Sequence, residues 1–60
     1  MTAPLSTLRP GQRFRQAGNP ATWQVVKQWP VLERIQVRRL DTALEYLLAD
    51  KAVEAVTDGR

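Results

Sequence analysis

Residues 23–40, WQVVKQWPVLERIQVRRL, alternate apolar side chains with Gln, Lys and Arg on either side of a proline. Period-two alternation marks strands with one face buried and the other in solvent. Trp23, Val25 and Trp29 share one parity, interrupted by Lys27; Gln24, Val26 and Gln28 share the other. The aromatic and β-branched content favours strand over helix. Pro30 ends the first strand because it has no N–H for a ladder. The second runs over residues 33–40, with Ile35 and Val37 pointing one way and Arg34, Gln36 and Arg38 the other. A slip of one residue would send three polar side chains inward, so the register is well specified. The stretch therefore dictates a half-buried antiparallel sheet with a basic, polar outer face.

The flanks divide less cleanly. Residues 1–7 read as a flexible leader, and residues 8–58 as a single small domain. Pro10-Gly11 is a turn signal. After it, Phe14 between Arg13 and Arg15 suits a short strand with one inward aromatic, and Gly18-Asn19-Pro20 is a loop. Residues 41–56, DTALEYLLADKAVEAV, support two readings. Ala, Leu, Glu and Lys favour a C-terminal helix over residues 42–57, with Thr42 and Glu45 as a capping box and Gly59 as a stop. That helix would put Lys51 into its apolar stripe and leave Tyr46 and Val53 off it. The alternative is a fourth strand at 45–49, a tight helical turn over 50–55 and a short fifth strand at 56–57.

Sixty residues form one domain that buries only about 60% of its unfolded surface. With no Cys and no His, the chain has neither disulfide nor thiol chemistry, and zinc would have to bind through carboxylates alone. No apolar run is long enough for a membrane span, and the first residues lack the pattern of a signal peptide. The expectation is a cytoplasmic protein without cofactor. No nucleophile stands beside a base and no Gly-rich phosphate loop is present, so the expected role is non-enzymatic.

Charge is uneven. Residues 1–40 hold seven cations against Glu33 alone, a net +6, while residues 41–60 hold two cations against five acids, a net −3. A basic strand region suggests an anionic partner, and the split equally suits self-association.

The order of features resembles a small bacterial SH3-like barrel, a layout shared by Sm-like and Tudor-like domains. The resemblance rests on Pro10-Gly11, Arg13-Phe14-Arg15, Trp23-Gln24-Val25-Val26, Ile35-Gln36-Val37-Arg38, Tyr46-Leu47-Leu48 and the closing residues 52–56. It implies a mainly β, five-stranded barrel. The competing architecture is α+β, a three-stranded meander with the helix at 42–57.

Two functional expectations follow. In the first, the outer sheet face binds RNA or single-stranded nucleic acid. Arg13, Arg15, Lys27, Arg34, Arg38 and Arg39 would contact phosphates, Trp29 or Tyr46 would stack on a base, and Gln36, with Gln24 and Gln28 beside it, would reach base edges or ribose. In the second, the domain is a protein-interaction module or homo-oligomer that offers a sheet edge to its partner. Trp23 is expected in the core and Trp29, next to Pro30, at least partly in solvent.

Overall fold

The computed structural model describes residues 2–56. It is mainly β. Six strands, β1 (Thr2–Pro4), β2 (Arg13–Arg15), β3 (Trp23–Trp29), β4 (Arg34–Arg39), β5 (Glu45–Leu48) and β6 (Ala52–Val56), form one antiparallel sheet. Their spatial order is β1-β6-β2-β3-β4-β5, so the sheet does not close and β1 and β5 are its two edges. Short 3-10 turns follow β1 (Leu5–Thr7) and β3 (Pro30–Leu32). No helix among the described residues is long and apolar enough to cross a membrane.

Residues 42–56 form no helix, which corrects the helical alternative; Thr57 lies outside the described residues. Two local features turn the chain away. Ala43 adopts a left-handed φ of 62°, incompatible with a continuing helix. The Thr42 hydroxyl accepts the N–H of Leu44 in a turn rather than capping the residue three along. The other reading holds for its fourth strand, observed as Glu45–Leu48, and needs correction beyond it: residues 52–56 are all strand, with no helical turn over 50–55. Residues 52–56 lie between β1 and β2, so ladder bonds on both sides outweigh the helical preference of an Ala-rich segment.

Phe14, Trp23, Val25, Ile35, Val37 and Val53, the inward residues of β2, β3, β4 and β6, build the core with Leu5, Leu8 and Ala21. Trp23 stacks against Phe14 at 6.5 Å between centroids and meets Tyr46 edge-on at 5.5 Å. Such pairs add about 0.5–1.5 kcal/mol each beyond area burial.

The N-terminal segment is part of this body rather than a leader outside it. Thr2–Pro4 pairs with β6, and Leu5 is wholly buried. The Leu5 N–H donates to the Lys51 carbonyl at 2.8 Å. Gln28 turns inward and donates its Nε2 to the carbonyls of Leu8 (2.9 Å) and Leu5 (3.4 Å). Asp50 closes the junction, accepting from the Ser6 N–H at 2.9 Å and the Ser6 hydroxyl at 2.8 Å.

The backbone bond from Ser6, then its hydroxyl, hold the Asp50 carboxyl below its usual pKa. A carboxylate whose folded pKa is depressed stabilises the fold above its unfolded pKa, and that contribution is lost as pH falls through the folded value. Asp50→Asn should therefore flatten the dependence of the urea midpoint on pH between about pH 5 and pH 2. An unchanged pH slope would show that this junction does not couple to acid unfolding.

Candidate nucleic-acid interface

A β-bulge decides which side chains share the outer face. β3 and β4 pair Val25 with Val37 and then Lys27 with Gln36, which leaves Val26 as an extra residue. One extra residue reverses the parity of everything after it. Gln28 consequently joins Ile35 inside, while Lys27 and Trp29 join Gln36 and Arg34 outside. The Lys27 that interrupts the apolar parity in the sequence marks this reversal. Gln28 is thus corrected from the outer face to the inner one, where it is half-buried.

Across the strands, one outer row runs Arg13, Gln24, Arg38, Glu45; the next runs Lys27, Gln36, Leu47; Trp29 and Arg34 form a third pair. Arg15 lies beside Arg13 on the same face, opposite Glu54. Arg39 does not join them. It has the inner parity, pairs with Trp23 in register, sits 5.8 Å over that ring and bridges Asp41 at 2.8 Å.

The outer cations differ in how far they are engaged. Arg38 forks onto Glu45 through Nε (3.1 Å) and Nη2 (2.6 Å). That bond, then a hydrogen bond from Gln36, lowers the Glu45 pKa. Gln36 is itself fixed: its Nε2 donates to Glu45 at 2.6 Å, and its Oε1 accepts the Trp29 indole N–H at 3.0 Å. Gln24 donates to the Gly11 carbonyl at 3.0 Å. Among the described residues, Arg13, Arg15, Lys27 and Arg34 form no salt bridge, and Arg34 donates only to the neighbouring Glu33 carbonyl.

Trp29 is the aromatic of this face. It is half-buried, its indole edge is pinned by Gln36, and the Lys27 ammonium lies 4.2 Å from its ring centroid. It stands between two hollows. A cleft of about 700 Å³ runs along Trp29, Arg34, Gln28 and Asp50, and a shallower one of about 350 Å³ is lined by Trp29, Leu32, Tyr46 and Leu47. Trp23, only 6% exposed, is a core residue.

Of the residues expected to form an interface, Arg13, Arg15, Lys27, Trp29, Arg34, Gln36 and Arg38 come together on one face, and Arg39 is set apart. Sequence reasoning missed the Gln36–Glu45 and Arg38–Glu45 contacts. They join residues 45 and 36–38 across the β4–β5 pairing, and a helical reading of 42–57 conceals that pairing. No protein-family model matches the chain, and no curated protein or solved structure matches it.

Proposed function

We propose that the domain is a non-enzymatic, cytoplasmic binding protein whose outer sheet face takes single-stranded nucleic acid, RNA in particular. The observation that carries this reading is Trp29: a half-exposed ring held edge-on by Gln36 and flanked by Lys27 and Arg34. Base stacking on such a ring tolerates any sequence, and nearby cations supply the salt-dependent phosphate contacts. The cleft beside Trp29 and Arg34 has the volume of a small-molecule site and would accept one flipped-out nucleotide. Arg13, Arg15, Lys27 and Arg34 are the proposed phosphate contacts, with Arg38 reinforcing the face while it holds Glu45. We also propose the SH3-like or Sm-like class for the fold, on the strength of the β2–β5 meander and the return of β6 to pair with β2.

Because Trp23 is buried, base quenching of tryptophan emission should report Trp29. Titration with single-stranded RNA should quench the emission at low salt and less so at physiological salt. Trp29→Phe should abolish the quenching while the blue-shifted Trp23 signal stays. No quenching at low salt, or quenching that ignores salt, would overturn this reading.

A further inference from the structure

The two edges of the sheet are not alike. β1 is three residues long and ends in Pro4, which has no N–H to offer a neighbouring strand. β5 carries no proline or lysine, and its sequence is Glu45-Tyr46-Leu47-Leu48. Leu40, Leu44, Tyr46 and Leu47, four of the six large apolar residues exposed on the described chain, lie on β5 or in the turn that leads into it. In a domain this small, an unguarded apolar edge is a template for another strand.

The phase of the ladder shows what the edge offers. The Arg39 N–H donates to the Leu44 carbonyl, and bonded pairs alternate along an antiparallel ladder. Tyr46 and Leu48 therefore face β4 with their backbone groups. Glu45 and Leu47 direct their N–H and C=O groups away from it.

We infer that β5 pairs with β5 of a second copy, antiparallel and about a two-fold axis at Tyr46. This register sets Glu45 of each copy against Leu47 of the other, so all four outward backbone groups on each edge find partners. Tyr46 then faces its own copy, and exposed Leu44 meets half-buried Leu48, all with the inner parity. A two-fold contact of this kind is self-complementary and closes on itself, whereas β5-to-β1 addition would meet Pro4 and propagate.

Charge also favours a second copy over a charged partner. Glu45 is neutralised by Arg38 and Asp41 by Arg39, so the edge presents no net repulsion in a chain of net charge +3. A four-residue edge buries little area, so the dimer is a reversible one. The pairing does not depend on nucleic-acid binding.

Sedimentation velocity without nucleic acid, from micromolar to millimolar protein, should show a monomer converting to a dimer and nothing larger. Leu47→Glu sets a like charge directly against Glu45 of the other copy, on an exposed edge side chain that contributes nothing to the core, and should weaken the dimer at least ~10-fold with the thermal melt of the monomer unchanged. The chain has no thiol of its own, so Tyr46→Cys should oxidise to a covalent dimer far faster than Val31→Cys, a fully solvated control. A monomer at every concentration, a dimer indifferent to Leu47→Glu, or equal cross-linking at both cysteines would each overturn the inference.

Discussion

A chain lacking residues 1–7 should fail to fold at room temperature. A domain of 60 residues has a stability of about 3–9 kcal/mol, from the usual 0.05–0.15 kcal/mol per residue. Truncating one fully buried leucine to alanine already costs about 2–5 kcal/mol, and Leu5 has no exposed surface. The deletion also removes the β1–β6 ladder, the Leu5–Lys51 backbone bond and the Ser6 donors to Asp50. It further strips the inward Gln28 amide of its weaker partner, the Leu5 carbonyl. Leu5→Ala alone separates packing from the rest and should lower the urea midpoint sharply while leaving a cooperative transition. Circular dichroism with a urea titration reads both variants. A deletion variant that melts cooperatively near the full-length midpoint would show that the domain does not need its first strand.

That prediction falls where the sequence was least legible. Leu5 stands alone in TAPLST with no period on either side, and its partners lie at residues 28 and 51. Periodicity reports a face only where several residues repeat it. The strands at 23–29 and 34–39 were legible because each repeats its pattern, and Phe14 and Trp23 took their inward places by the same logic. The bulge at Val26 left one mark, the misplaced parity of Lys27, which does not by itself say where an extra residue sits. The last third supports a helix as well as strands because Ala, Leu, Glu and Lys are strong helix formers, whereas the deciding bonds come from strands distant in sequence. The basic face was legible as charge. Its centre, Trp29 pinned by Gln36, required the reversed parity to be known.

Replacing Arg13, Lys27 and Arg34 together by glutamine should weaken binding of single-stranded RNA on the order of 100-fold at low salt. Each phosphate contact to a single strand releases counterions worth about 0.7 in the slope of log K against log salt, so the triple variant should lose about two units of slope. These three are chosen because they share the outer face and have no acidic partner among the described residues, so removing them leaves no buried or orphaned charge behind. Arg38 would be an ambiguous choice, since its loss frees Glu45 on the same face. Arg39 is the informative control: it is equally cationic but turned to the other face, over Trp23 and against Asp41. Arg39→Gln should shift affinity by no more than about twofold and leave the salt slope intact. If net charge alone drew the RNA, each substitution would weaken binding in proportion to the charge removed, and Arg39→Gln would cost a third of the triple variant's loss. A geometric interface predicts that the cost depends on the face. Affinity measured by fluorescence anisotropy at several salt concentrations separates the two, and equal per-charge losses would remove the case for the outer face as a site.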